Sequence, residues 1–246
     1  MTTLEQEQRL LWTGGWDSTF QLLRLLLLNR QRVVPFYLLD AERDSLRHEI
    51  RAMKHIKARL FREHPHTEEL LEPTRYSAVE DIEPDIDITE AFVALSEDNH
   101  IGGQYAWLAR FCKQNGFTDM QLCIDAGDSR AFRRLKDLVT EVQAEPQRTY
   151  RVDARHKREP ECVLFRYFLL PVFDLSKLQM ETIAADHGWH GIMRMTWFCH
   201  DPIGDATPCG RCFPCLSVIE EGLGWRIPLP RRILTALPRT VKRLRR

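Results

Sequence analysis

The chain has 246 residues, 43% of them hydrophobic, and its 35 basic and 35 acidic side chains give a formal net charge of zero. This size suffices for one main domain with a sizeable core and a small appendage. The last sixteen residues hold seven basic and no acidic side chains, so the remainder carries 28 basic against 35 acidic groups. That balance argues against a general nucleic-acid binder.

The sequence predicts a cytoplasmic protein that does not associate with a membrane. No apolar run reaches the roughly 18 residues that a membrane helix needs. The first residues are polar and acidic, where a signal peptide would be basic and then apolar. Four of the seven cysteines fall within seventeen positions, which favours metal binding in a reducing compartment over a disulfide framework.

The first half of the chain predicts alternating strands and helices. Short apolar strands at 9–12 and 33–39 flank an amphipathic helix at 17–29, and a second helix with an aliphatic buried face follows at 45–64. Residues 77–98 are acidic and weakly periodic, so they form either a loop or a short exposed helix. This alternation indicates an α/β fold with a doubly wound, mostly parallel sheet.

The second half continues the pattern with a helix at 102–115 and a buried strand at 120–124. Gly127 lies in the Asp-Ala-Gly-Asp-Ser segment that follows this strand, where ligands bind in open α/β sheets. Residues 130–161 form a long charged segment with one helical piece near 135–142, typical of a lid or partner surface. A strand at 163–168, a turn at 171–173 and a helix at 176–187, opened by Asp174 or Ser176, complete the prediction.

Residues 12–20 read Trp-Thr-Gly-Gly-Trp-Asp-Ser-Thr-Phe and connect the first strand to the first helix. Gly14 and Gly15 can adopt conformations closed to other residues, so that consecutive N–H groups converge on an anion. Ser18 and Thr19 open the helix, whose free N–H groups and positive dipole end face the same anion. The segment predicts a cradle for the phosphates of ATP.

The chain lacks a Gly-x4-Gly-Lys-Ser/Thr segment, so the loop is not of the kinase type. Asp17 is better placed to help hold Mg²⁺ on the phosphates than to bind them directly. With Thr13 in the first position, the loop resembles the Ser-Gly-Gly-x-Asp-Ser signature of the PP-loop ATP pyrophosphatase superfamily. This resemblance implies cleavage of ATP between its α and β phosphates. A tight turn that happens to carry two glycines is the alternative.

Four cysteines near the carboxyl end follow the spacing Cys-x9-Cys-x2-Cys-x2-Cys; they are Cys199, Cys209, Cys212 and Cys215. Such spacing lets four thiolates converge on one tetrahedral ion and leaves no position for a catalytic water, which predicts structural Zn²⁺. A catalytic or iron–sulfur site is the alternative. His200 could replace Cys199, but adjacent residues of an extended segment point opposite ways, which favours the cysteine.

The end of the chain narrows the resemblance to the 7-cyano-7-deazaguanine synthase family of this superfamily. The similar segments are Asp174-Leu175-Ser176-Lys177, Thr196-Trp197-Phe198-Cys199-His200 and Pro208-Cys209-Gly210-Arg211-Cys212-Phe213-Pro214-Cys215. The similarity spans residues 8–222 and is strongest at its two ends. It implies that ATP adenylates the carboxylate of 7-carboxy-7-deazaguanine, that ammonia then gives the amide, and that a second ATP-dependent dehydration gives the nitrile of the queuosine pathway.

The resemblance also implies roles for single residues. As catalytic residues it implies Asp17 with Mg²⁺, Ser18 at the pyrophosphate, and Lys177 neutralising phosphate charge in the transition state. A solvated lysine at a helix start is the alternative for Lys177. Asp40 ends the second strand where the family carries an acidic residue. The predicted cofactor-binding set comprises Thr13, Gly14, Gly15, Asp17, Ser18, Thr19, Asp40 and Gly127.

Two segments depart from the family pattern beside the expected substrate pocket. Ala41-Glu42-Arg43-Asp44 replaces Tyr-Gly-Gln-Arg-His, and Ile101-Gly102-Gly103-Gln104-Tyr105 replaces Val-Pro-x-Arg-Asn. The sequence therefore does not determine which amine accepts the activated acyl group. Ammonia is the first hypothesis; an amide ligase that joins the acid to a protein or nucleic-acid amine, for example in antiviral defence, is the second; a non-catalytic nucleotide sensor is the third.

The predicted organisation has three parts: a nucleotide-binding domain at 1–195, a zinc module at 196–224 packed on it, and a basic tail at 225–246. The predicted partners are the deazaguanine substrate and ammonia. The tail and the charged segment at 130–161 are candidate surfaces for a protein partner, and a homodimer is left open.

Overall fold

The structure is a computed structural model that describes residues 7–98, 101–127 and 129–236. Its strands are β1 (Gln8–Leu11), β2 (Val33–Leu39), β3 (Arg75–Ala78), β4 (Met120–Gln121), β5 (Val139–Gln143), β6 (Thr149–Val152) and β7 (Phe168–Leu169). Its helices are α1 (Trp16–Leu23, continued as a π-helix over Arg24–Leu28), α2 (Leu46–Glu63), α3 (Thr67–Leu70), α4 (Ile86–Asp98), α5 (Gln104–Gln114), α6 (Arg130–Leu135), α7 (Pro160–Phe165), α8 (Lys177–Asp186), α9 (His190–Met193), α10 (Phe213–Glu220) and α11 (Leu229–Ala236).

Five strands form a parallel sheet in the order β3-β2-β1-β4-β7. After β1, the chain adds β2 and β3 on one side of it and then β4 and β7 on the other side. The carboxyl end of β1 is therefore the point at which strand order reverses, where open α/β sheets bind ligands. A separate antiparallel pair, β5 and β6, is linked to the sheet's edge through a bridge between Tyr150 and Leu170.

Apolar side chains of the sheet pack into two clusters, one on each face. In β2, Val33 and Tyr37 belong to the cluster beneath α1, α2, α8 and α9, whereas Phe36 and Leu38 belong to the cluster beneath α4, α5, α6 and α7. Helices thus cover both faces, as the sequence predicted. Cys199, which lies in the predicted zinc module, joins the first cluster. No helix within the described ranges has the length and apolarity needed to span a membrane.

Several elements differ from the sequence prediction. The stretch 135–142 is not one helix, because Val139–Gln143 pairs with Thr149–Val152 in a two-stranded sheet. The strand predicted at 163–168 is largely helix α7, since Pro160 occupies its first turn, where a missing N–H costs nothing. Residues 77–98 contain the end of β3 and a full helix, α4.

The helices that flank the predicted site also differ from the sequence prediction in where they begin and which residues they bury. Helix α1 begins at Trp16 with Gly15 as its N-cap, so Ser18 and Thr19 lie in its first turn rather than at its start. The buried face of α2 is not purely aliphatic, because it includes His48 and Glu49. Ser176, not Asp174, caps α8 through a capping box with Gln179.

Candidate functional site

The glycine loop lies at the carboxyl end of β1 and is held there by close packing. Gly14 has a positive φ of 70°, and a Cβ on it would lie 3.0 Å from Cγ of Met53 and 3.2 Å from the carbonyl oxygen of Glu49. Only glycine combines that conformation with that approach to α2. Gly15 is extended, and its N–H donates to Oγ1 of Thr13 over 3.3 Å.

The first turn of α1 presents buried oxygen atoms that lack partners. Oδ1 of Asp17 and Oγ of Ser18 are buried and have no hydrogen-bond partner among the described residues. Thr19 differs, because its fully buried hydroxyl accepts a hydrogen bond from Nε1 of Trp12 over 3.1 Å. Asp17 and Ser18 are therefore available to a ligand at the helix N-terminus, whereas Thr19 is part of the packing beneath it.

Lys177 is the centre of a charged cluster beside the loop. Its Nζ lies 3.0 Å from Oδ1 of Asp125, 3.1 Å from Oε1 of Glu221 and 3.8 Å from Oδ2 of Asp17. The lysine side chain is only 15% exposed, so it is not a solvated lysine at a helix start. Three carboxylates face one ammonium group, and Oδ2 of Asp125 and Oε2 of Glu221 are buried without a partner in the described part of the chain.

This excess of carboxylates perturbs proton binding. Burial, reinforced by Asp125 and Glu221 and opposed by Lys177, raises the pKa of Asp17 to about 7. Burial would lower the pKa of Lys177, but the three carboxylates outweigh it and raise that pKa. A cluster that holds carboxylates at the edge of protonation is suited to a divalent cation, which would replace the missing positive charge.

A cavity of about 240 Å³ opens in front of the loop. Thr13, Gly15, Asp17 and Ser18 form one side of it. The other sides come from β2, the turn after it, α2, α5 and the segment around Cys199. They include Tyr37, Arg43, Glu49, Gln104, Trp107, Phe198 and His200. Cys123 also lines the cavity, and burial raises the pKa of its thiol well above the usual value.

Glu49 anchors the far wall of this cavity. Its carboxylate accepts hydrogen bonds from the hydroxyls of Tyr37 over 2.8 Å and Ser45 over 2.6 Å. Arg43 lies 3.5 Å from the same carboxylate. Burial and the neighbouring Glu49 raise the pKa of Tyr37, so its hydroxyl remains a donor. Neither Arg43 nor Glu49 carries a recognisable motif in the sequence. Arg43 lies in the turn just before α2, so its contact with Glu49 is local.

Four of the eight predicted cofactor-binding residues do not line the cavity, namely Gly14, Thr19, Asp40 and Gly127, and neither does the predicted catalytic Lys177. Asp40 accepts a hydrogen bond from the N–H of Glu42 over 3.2 Å and so stabilises the turn after β2. Gly127 lies against the carboxylate of Asp125, where a Cβ would approach Oδ2 to 2.7 Å. Gly127 thus makes room for a member of the lysine cluster.

The four cysteines converge into one cluster that could hold a zinc ion, since their sulfur atoms all lie within 4.8 Å of one another. Sγ of Cys199 is 3.8 Å from that of Cys212, and Sγ of Cys209 is 3.9 Å from that of Cys215. Four sulfurs about 2.3 Å from one tetrahedral ion would be separated by about 3.8 Å. His200 is not part of this cluster.

The cysteine segment is joined directly to the glycine loop. The N–H of Trp197 donates to the carbonyl oxygen of Gly14 over 2.9 Å, and Nε1 of Trp197 donates to the carbonyl oxygen of Cys199 over 2.8 Å. Arg226 lies nearby, with its guanidinium 4.8 Å from the ring of Trp16. The sequence places Arg226 in the predicted basic tail and offers no motif for Glu221, because their proximity to the loop arises only from tertiary packing.

Comparison with known proteins does not identify a family. No protein-family model matches the chain, and no curated protein matches it.

Proposed function

We propose that the chain is an ATP-dependent enzyme that activates the carboxylate of 7-carboxy-7-deazaguanine by adenylation. The observation that carries this proposal is the set of buried oxygens beside the glycine loop, on Asp17, Ser18 and Asp125, that have no partner among the described residues. Buried polar groups without partners are costly. Phosphate groups and a magnesium ion would satisfy them together.

The proposed chemistry is divided between the glycine loop and the charged cluster around Lys177 beside it. The N–H groups at the start of α1 and the hydroxyl of Ser18 would hold the departing pyrophosphate. Asp17 and Asp125 would hold Mg²⁺, which supplies charge neutralisation when bound. Lys177 already neutralises these carboxylates and would be released towards phosphate oxygens as the cation takes its place.

The reaction follows from the chemistry of a carboxylate, which is a poor electrophile. Its oxygen attacks the α-phosphorus of ATP, the bond from that phosphorus to the bridging oxygen breaks, and pyrophosphate leaves. The nitrogen of ammonia then attacks the carbonyl carbon of the acyl adenylate, AMP leaves, and the nitrogen loses a proton to give the amide. The amide oxygen then attacks the α-phosphorus of a second ATP and pyrophosphate leaves. The C–O bond breaks with AMP as the leaving group while the nitrogen loses its two protons, which gives the nitrile.

The opposite side of the cavity supports a planar acid as the substrate. Trp107, Tyr37 and Phe198 offer aromatic surface, and Gln104 offers an amide donor and acceptor. Arg43 offers a guanidinium group that can bind a carboxylate with two parallel hydrogen bonds. We therefore assign the substrate carboxylate to Arg43 before adenylation.

A product assay tests the proposal. Purified protein is incubated with Mg²⁺, ATP and 7-carboxy-7-deazaguanine, with and without ammonia, and products are identified by mass spectrometry. Pyrophosphate should be released only when the acid is present, and amide and nitrile should form only with ammonia. Release of no pyrophosphate with this acid would overturn the proposal, and ATP binding without release would point to a nucleotide sensor.

A second candidate, an amide ligase acting on a protein or nucleic-acid amine, is favoured by one observation. Arg43 and Gln104 come from the two segments that depart from the family pattern, and both line the cavity. Acid-dependent pyrophosphate release without amide or nitrile in the presence of ammonia would favour this ligase over the nitrile synthase.

A further inference from the structure

A second, larger cleft of about 460 Å³ lies on the other side of Trp197 and Phe198, which line both cavities. Helix α2 forms one wall, with Arg51 and His55. Residues 194–198 form the opposite wall and Trp225 and Arg226 close one end. Nothing in the proposed reaction uses this cleft.

The residues that line the cleft carry more positive than negative charge. Its lining includes Arg51, Arg194 and Arg226, and Asp205 is the one carboxylate among the described lining residues. Arg51 donates to the backbone carbonyl oxygen of Asp205 over 2.9 Å rather than to its carboxylate. Within the described part of the chain, none of these three arginines forms an ion pair with a carboxylate. Asp17, Glu181 and Glu221 act electrostatically on Arg226, so the exposed guanidinium groups of Arg51 and Arg194 carry the charge that attracts anions to this surface.

Arg226 presents an unused hydrogen-bond donor among the residues that line the cleft, and it also lies within the charged surroundings of Asp17 and Glu221. Its Nη2 donates to the carbonyl oxygen and hydroxyl of Thr196 over 2.9 Å and 2.7 Å. Its Nη1 is buried and has no hydrogen-bond partner among the residues described. Cζ of Arg226 lies 4.4 Å from the centre of the Phe198 ring, which helps to hold the guanidinium group in place. A buried charged donor without an acceptor is costly unless a ligand supplies one.

The positive surface extends along α2 beyond the cleft. Arg47, Arg51 and His55 follow one another at intervals of four residues and are all exposed. Successive members of such a row lie about 6 Å apart along the helix axis. On the facing wall, Arg194 lies over the ring of Trp225 at 4.9 Å, which holds its guanidinium in place towards the cleft. The planar guanidinium groups therefore present N–H donors in a fixed geometry to a ligand that enters from solvent.

We propose that this cleft binds a phosphate-bearing ligand between Arg51 and Arg194. Guanidinium forks suit phosphate oxygens, and the phosphate group has enough acceptors for several forks at once. The ligand is held beside the glycine loop but separated from it by Trp197 and Phe198. The proposal does not depend on carboxylate activation, because it rests on residues outside the loop cavity.

Calorimetric titration with three phosphate compounds tests this proposal and distinguishes the source of the phosphate. The probes are inorganic pyrophosphate, a nucleoside 5′-monophosphate and an eight-nucleotide single-stranded DNA, each added to the full chain. We expect Arg51→Gln and Arg194→Gln each to weaken binding of the preferred probe about tenfold or more. Arg62→Gln serves as the matched control, since Arg62 is an exposed arginine on α2 that does not line the cleft.

The outcomes separate cleft binding from binding at the loop. Mg²⁺–ATP binding should be the same in both cleft variants and in the natural chain, because Arg51 and Arg194 lie outside the loop cavity. Preference for the oligonucleotide would identify a nucleic-acid strand as the source, and preference for either small probe would identify a free phosphate compound. Binding of none of the three probes, or equal weakening by Arg62→Gln, would overturn the proposal.

Discussion

The backbone N–H of Trp197 donates to the carbonyl oxygen of Gly14 over 2.9 Å. This bond joins the segment that leads into the cysteine cluster to the loop that ends β1. Cys199 is two residues further on, and its carbonyl oxygen accepts from the indole of Trp197. The position of the glycine loop therefore depends on the order of the cysteine segment. A metal in the cysteine cluster would stabilise the loop as well as its own module.

Loss of the cysteine cluster should consequently affect nucleotide binding. We expect Cys212→Ser to lower the melting temperature and to weaken ATP binding in the protein that remains folded, because the Trp197 segment loses its anchor. Cys112→Ser is the matched control, since Cys112 is buried but lies outside the cluster. Zinc content, thermal melting and ATP titration check the prediction. Unchanged ATP affinity in folded, zinc-free protein would show that the loop is independent of the cluster.

Gly14 should be intolerant of any side chain. We expect Gly14→Ala to cost about 2–4 kcal/mol of unfolding free energy, because it combines a positive φ with a close approach to Met53 and the backbone of Glu49. Gly103→Ala is the control, since no atom lies within 4 Å of a Cβ built there. Urea unfolding of both variants measures the difference. Equal free energies of unfolding would contradict the assigned loop geometry.

The sequence predicts those elements of the fold whose conformation is determined by neighbouring residues, and it fails where tertiary packing determines the conformation. The strand at 33–39 agrees with the structure because a continuous apolar run fits a strand buried on both faces. Ser176 caps α8 through a pattern of neighbouring residues that is visible in the sequence. The run at 163–165 is different, because a short apolar stretch fits a buried helix as well as a strand. Its conformation is decided by Pro160 and by packing under α4 and α5.

The candidate site likewise contains residues that local sequence patterns predict and residues that only tertiary packing brings together. The glycine loop and the four cysteines are contiguous or regularly spaced, so their residue types alone indicate what they can bind. Glu221 and Arg226 lie more than two hundred residues from the loop in sequence and have no motif. They reach it because α10 and the turn after it pack into the core that also covers α1. The sequence therefore predicted the glycine loop and the cysteine cluster but not part of the charge that surrounds the loop.

Lys177 should be important for stability as well as for activity. Replacing it by methionine leaves Asp17, Asp125 and Glu221 facing one another without their central cation. Allowing for their partial solvent exposure, we expect a loss of about 2–3 kcal/mol. Asp125→Asn in the same chain should restore part of this loss, because it removes one of the repelling charges.

Lys54→Met, at an exposed position of α2, is the control. Denaturant unfolding that shows no difference between Lys177→Met and Lys54→Met would contradict the cluster.

Asp17→Asn should stabilise the nucleotide-free protein while abolishing magnesium-dependent ATP binding. The pKa of Asp17 is about 7 in the folded chain against an ordinary value of 3.8, so the folded state holds the proton more tightly than the unfolded state. The stability that this proton gives is full at low pH and is lost as the pH rises towards 7.

Asparagine resembles the protonated acid and does not titrate. We therefore expect the variant to gain stability over the natural chain between pH 5 and pH 7, reaching about 2–3 kcal/mol at pH 8 after allowance for partial exposure. Asp44→Asn, at an exposed position, is the matched control. Unfolding free energies across this pH range decide the matter, and a flat profile for Asp17→Asn would show that the loop carboxylate is ionised throughout.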